Sequence, residues 1–205
     1  MIANSLRLMA LAPALAGLAF AVPAAAQGIV IPETEQDSGV YVEQIGTSNQ
    51  AAFDQATPDQ NARAIQNGNS NTAQINQFDA GEHFASIEQD GDDNTASIAQ
   101  EGNGPTGAIV SQTGDDNAVI LAQRDTGAVG TLAEIVQTGA ANSATLVQDG
   151  SDNQATLTQN GDNNTMTAFQ LGAGNRLDWT QNGNGLPDLG ITQTGNSTMF
   201  VTQSN

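Results

Sequence analysis

The sequence predicts an all-β chain, a parallel-stacked β-solenoid of about seven two-strand rungs. Three observations carry that prediction. Fifteen glutamines recur at near-constant spacing, apolar residues stand at alternate positions ahead of them, and Gly/Asn-rich tetrads separate the units.

The elements follow in chain order. Residues 1–26 read as a secretory signal peptide: Arg7 gives a short positive region, Leu8 to Phe20 an apolar run, and Ala24-Ala25-Ala26 a small-residue cleavage pattern. That run is shorter than the roughly 17–25 residues that span a bilayer, so no transmembrane segment is expected once the signal is removed. Residues 27–41, with Pro32, Glu33 and Glu35, read as a flexible N-terminal segment. Residues 42–205 form the repeat region.

The glutamines are Gln44, Gln55, Gln66, Gln77, Gln89, Gln100, Gln112, Gln123, Gln137, Gln148, Gln159, Gln170, Gln181, Gln193 and Gln203, and nine of the fourteen intervals are eleven residues. In Gln89-x-Gly91-x-x-Asn94-x-Ala96-x-Ile98-x-Gln100 and Gln148-x-Gly150-x-x-Asn153-x-Ala155-x-Leu157-x-Gln159, the Asn, Ala, aliphatic residue and Gln lie two apart. Alternate residues of a strand face one way, so all four project from one face. The same placement returns at Ala51/Phe53, Ala85/Ile87, Val119/Leu121, Ala133/Ile135, Ala144/Leu146, Leu177/Trp179, Leu189/Ile191 and Met199/Val201. Tetrads such as Gly91-Asp92-Asp93-Asn94 are turns, because Gly and Asn tolerate positive φ and Asp and Asn side chains satisfy nearby backbone.

Two kinds of turn alternate. After odd-numbered glutamines the Gly/Asn pair is present in six of seven arcs, with Asn49, Asn71, Asn94, Asn117, Asn142 and Asn164; after even ones it is complete only at Gly150/Asn153 and Gly172/Asn175. The true repeat is therefore two arcs of 22–25 residues, most simply stacked as rungs with each strand parallel to its equivalent. In that stack every Gln meets the Gln of the next rung at ~4.8 Å, and the eight Asn do likewise, forming amide ladders that give buried amides their partners.

Composition excludes several function classes. Lysine and cysteine are absent, and after the signal three arginines oppose 22 acidic residues, a net charge of −19. Such a chain lacks the clustered Lys and Arg that bind nucleic acid, is repelled by anionic membranes, and has no disulfides. His83 is the single histidine, so neither a nucleophilic triad nor a metal-ligand cluster can be assembled; no enzyme activity and no cofactor are expected, and His83 is expected on a solvated loop. The Asp-rich turns at Asp92/Asp93 and Asp115/Asp116 match neither a calcium loop nor the calcium β-roll nonapeptide, which leaves at most weak calcium binding there.

The repeated Gln-x-Gly-x-x-Asn-x-Ala-x-x-x-Gln unit behind a secretory signal resembles curlin, the subunit of bacterial curli fibres, over Gln44 to Gln203. The resemblance implies a secreted structural subunit that self-assembles into extracellular functional amyloid for biofilm matrix and cell adhesion. It also implies partners: copies of itself, a nucleator subunit and an outer-membrane secretion channel, which residues 27–40 would address. A nucleating subunit tends to carry basic residues in an anomalous terminal unit; Gln193 to Asn205 has none, which favours a major-like subunit. The repeat runs to Gln203 with no capping pattern behind it, an expectation of head-to-tail polymerisation. A non-polymerising secreted solenoid adhesin is the rival.

Overall fold

A computed structural model describes residues 39–205; the expected signal peptide and residues 27–38 lie outside them. Among the described residues every regular element is a strand: β1 (Gly39–Ile45), β2 (Gln50–Gln55), β3 (Asn61–Asn67), β4 (Thr72–Gln77), β5 (His83–Asp90), β6 (Thr95–Glu101), β7 (Thr106–Thr113), β8 (Ala118–Arg124), β9 (Thr131–Thr138), β10 (Ser143–Asp149), β11 (Gln154–Asn160), β12 (Thr165–Leu171), β13 (Arg176–Asn182), β14 (Ile191–Thr194) and β15 (Thr198–Ser204). Gly39, Val40 and Tyr41 thus already belong to the first strand.

Odd strands stack in one sheet, in the order β1-β3-β5-β7-β9-β11-β13-β15, and even strands in a second, β2 through β14. We call these sheets A and B. All pairings are parallel, and each aligns glutamine with glutamine: Gln89 with Gln112, Gln148 with Gln170, and so on along the stack. The chain is a β-solenoid of about seven turns. Parallel strands joined by tight arcs can stack this way because each arc passes to the opposite sheet and returns one rung higher, so neighbours in a sheet never connect directly.

The strands alternate between buried and accessible residues, as β11 does over Gln154–Asn160. Inward positions form the core: Ala85/Ile87, Ala108/Val110, Ala133/Ile135, Ala155/Leu157 and Leu177/Trp179 from sheet A meet Ala96/Ile98, Val119/Leu121, Ala144/Leu146 and Met166/Ala168 from sheet B. Alanine opposite a larger aliphatic keeps the two sheets close, which makes the core thin. Backbone and amide hydrogen bonds therefore carry an unusually large share of the cohesion.

One strand departs from the expected pattern. Leu189, expected to face inward with Ile191, is exposed and precedes β14. Pro187 lacks an N–H, Gly190 takes φ 61°, and Asp188 Oδ1 accepts from both Thr167 N–H and Gly190 N–H, so this segment closes on itself instead of pairing along its length. Leu186 takes the inward place that asparagine holds in other rungs, with its N–H donating to Asn164 Oδ1.

Candidate functional site

The fifteen glutamines form two unbroken ladders. In sheet A the run is Gln44, Gln66, Gln89, Gln112, Gln137, Gln159, Gln181 and Gln203; each Nε2 donates to the Oε1 of the next at 2.6–3.0 Å. Sheet B repeats this through Gln55, Gln77, Gln100, Gln123, Gln148, Gln170 and Gln193 at 2.7–3.0 Å. The second amide hydrogen has an equally regular partner, the carbonyl that opens a strand of the opposite sheet. Gln66 donates to Gln50, Gln112 to Thr95 and Gln159 to Ser143 in one direction, and Gln77 to Asn61, Gln123 to Gly107 and Gln170 to Gln154 in the other, at 2.9–3.1 Å. A buried glutamine thus pins the corner of its own rung while joining the next, and both of its donors are satisfied.

The asparagines form two separate stacks. Asn49, Asn71, Asn94, Asn117, Asn142 and Asn164 line one edge; Asn153 and Asn175 lie on the other. Each Oδ1 accepts the backbone N–H of the residue above it, and each Nδ2 but that of Asn175 donates to the carbonyl of the next rung's turn glycine, Asn71 to Gly91 and Asn94 to Gly114 at 2.7 Å; Asn175 Nδ2 donates to Asn153 Oδ1 and Leu171 O instead. This explains the three-residue offset between Gly and Asn. The glycine is required as well: Gly91 has φ +128°, and a Cβ there would lie 2.1 Å from the Gly114 carbonyl oxygen.

The Asp-rich turns serve the same stacking. Asn69 N–H donates to Asp92 Oδ1 at 2.7 Å and Asp92 N–H to Asp115 Oδ1 at 2.9 Å, so these carboxylates cap backbone amides of the preceding rung. No group of three or more His, Cys, Asp or Glu converges on a metal-binding geometry among the described residues.

His83 corrects the expectation of a solvated loop residue. It opens β5, is 1% exposed, and shares a buried column with Gln60, Thr106, Thr131, Asn153 and Asn175 on the second edge. Nε2 donates to Phe78 O at 2.9 Å, which leaves Nδ1 to accept from Thr106 Oγ1–H at 2.8 Å. Burial pushes the imidazole below its usual range, opposed by the Phe78 carbonyl and by Asp79 and Asp125 nearby. Sequence reading missed this because the interval before Gln89 is lengthened, which hides the equivalence of His83 to asparagine.

The three described arginines each meet an acid one rung away: Arg63 with Glu88 at 3.9 Å, Arg124 with Asp149 at 3.6 Å and Arg176 with Asp152 at 2.7 Å. They bridge rungs instead of forming a basic patch.

The two ends of the described stack are open. Val40 is 44% exposed although Ala62, its register partner in β3, is 3%; Met199 is 36% exposed although Leu177 in β13 is 4%. At the β1/β2 end no donor among the described residues reaches Oε1 of Gln44 or Gln55, and at the other end no glutamine lies beyond Gln193 or Gln203. One end offers amide acceptors and the other amide donors.

Comparison with known proteins agrees with this architecture. The curlin associated repeat matches four times, at residues 79–102, 91–124, 132–161 and 150–183. No curated protein and no solved structure matches the chain. The matched stretches lie within the rungs whose Gln, Asn and Gly residues form the ladders, and they identify those rungs as curlin associated repeats.

Proposed function

We propose that this protein is a secreted structural subunit that stacks end to end into extracellular, curli-like amyloid fibres, and that these fibres serve biofilm matrix and adhesion. The observation that supports it is the pair of open ends of the described stack: apolar columns that are buried in the inner rungs are exposed at both, and the glutamine ladders present acceptors at the β1/β2 end and donors at the β14/β15 end. Strand edges and apolar columns left open in this way are normally covered by another chain. The Gln and Asn ladders act as structural stacking contacts, not ligand sites, and the partners are further copies, with a nucleator and a secretion channel upstream of assembly. The absence of basic residues after Gln193 favours the major over the nucleating role.

Incubating the purified chain from Gln27 with and without preformed seeds tests this. Seedable fibres in electron microscopy, with amyloid dye binding, are expected; a chain that stays monomeric for days, seeded or not, supports the solenoid adhesin instead.

A further inference from the structure

The outermost described strands of sheet A are β1 and β15, and their backbone groups restrict how one copy can meet another. Arg176 N–H donates to Ser197 O and Asn205 N–H to Asn182 O, so odd-numbered residues of β15 direct their N–H and C=O groups to β13. The direction alternates along a strand, and Thr198, Phe200, Thr202 and Ser204 therefore direct theirs away from β13. At the other end Gly68 N–H donates to Ile45 O and Ser70 N–H to Thr47 O, so odd residues of β1 face β3 while Val40, Val42 and Gln44 direct their backbone groups away from it.

A residue in a parallel ladder bonds to the two residues that flank its register partner. Phe200 must therefore stand opposite an odd-numbered residue of β1 in the next copy. Among those registers, one continues the sheet A glutamine ladder: Gln203 opposite Gln44, just as Gln181 stands opposite Gln203 and Gln44 opposite Gln66. Met199 and Val201 then meet Val40 and Val42 on the inner face, and Phe200 meets Tyr41 on the outer face.

Building on the end-to-end reading above, we propose that Phe200 of one copy and Tyr41 of the next form an aromatic pair across the joint, which sets its register. The column that carries them runs along the outer face of sheet A, from Tyr41 through Arg63, Ser86, Ile109, Glu134, Thr156 and Asp178 to Phe200. Aromatic rings stand only at its two ends, the places that a second copy brings together. Phe200 is 70% exposed, the most of any large apolar side chain among the described residues, and Tyr41 is 38% exposed. Tyr41 O–H donates to Glu43 Oε2 at 2.8 Å, which lays the ring along the outer face of β1. Rings on strands ~4.8 Å apart fall within the offset-stacked range of about 4.5–7 Å.

Charge favours a second copy as the occupant of this edge. In a chain with 22 acidic residues, β1 and β15 together hold a single acid, Glu43, and the register places it opposite Thr202. Two copies that repel each other elsewhere bring no like charges face to face along these strands.

The test is a double-mutant cycle on the full chain from Gln27, with Phe200→Thr, Tyr41→Thr and both together, each variant assembled on its own seeds. Threonine flanks Phe200 on the same face at Thr198 and Thr202, so strand preference is kept. The readout is the free monomer left at equilibrium with fibres, in enough urea to make it measurable. Each single variant should raise it at least about fivefold, and the double variant no further than the larger single effect. Within one copy the two residues stand at opposite ends of sheet A, so coupling between them arises only across the joint. Tyr41→Phe and Phe200→Tyr, which keep both rings, should hold the wild-type value. Single effects that multiply in the double variant, single variants that change nothing, or a Tyr41→Phe loss as large as that of Tyr41→Thr each overturn the pair while the fibre reading stands. A wild-type chain that forms no fibres overturns both.

Discussion

A single buried glutamine in this solenoid makes three hydrogen bonds at once. Gln112 accepts from Gln89, donates to Gln137 and donates to the Thr95 carbonyl. Gln112→Leu fills the space but strands the Gln89 donor in the rung below and two acceptors, Gln137 Oε1 in the rung above and the Thr95 carbonyl in the opposite sheet, and buried groups left unpaired cost about 1–3 kcal/mol each. The variant should lose about 2–5 kcal/mol in urea unfolding, and Gln203→Leu at the open end distinctly less. His83 gives a pH dependence at the same scale. Its folded pKa lies below its unfolded value of 6.5, so below that pH the unfolded chain takes up a proton that the folded chain resists. The contribution is complete above pH 6.5 and declines as pH falls toward the lowered value. Protection of the β5 and β7 amides, measured relative to intrinsic exchange at each pH, should therefore fall between pH 7.5 and 5.5, and His83→Asn, the residue that the same column carries at Asn153, should remove that change.

At the level of the element, the turn sets what the strand can do. Gly91 combines φ +128° with a backbone carbonyl where a Cβ would stand, whereas Gly185, at φ +64°, has nothing within 4 Å. Gly91→Ala must shift two rungs apart and should cost about 3 kcal/mol or more, measured as a fall in unfolding midpoint; Gly185→Ala should cost about 1–2 kcal/mol, the ordinary penalty of left-handed backbone. Regularity of turns also ranks the segments. From Gln137 to Gln181 every interval is eleven residues and every turn carries its Gly and Asn, so register is unbroken. A peptide of this segment should fibrillise faster than one covering Gln44 to Gln89, followed by dye binding; equal rates would contradict the role given to register.

For the whole molecule, cohesion opposes charge. Parallel stacking places Asp92 and Asp115 on adjacent rungs, with few cations to offset them. Only three described arginines bridge rungs, and their surface pairs contribute little each. Assembly at neutral pH therefore proceeds against self-repulsion. Raising salt from 0.1 M to 1 M shortens the screening length from ~10 Å to ~3 Å and should shorten the lag before fibres appear at pH 7.5. A lag indifferent to salt would show that the acidic columns are already neutralised by their backbone donors.

The periodicity of residues was enough to establish strands, their buried face, the parallel stack and both glutamine ladders, because a period of two within a strand and of about 22 between rungs leaves one register that aligns the recurring inward aliphatic and Gln positions of successive rungs. Other features depended on contacts between segments far apart in the chain. The second donor of each glutamine reaches a strand of the opposite sheet, the eight asparagines divide between two edges, and His83 lies buried in a column that its lengthened arc disguises. Leu189 turned outward because Pro187 and Asp188 redirected the backbone. Spacing along the chain specifies which residues recur, but where an irregular arc places a side chain is decided by the rungs above and below it.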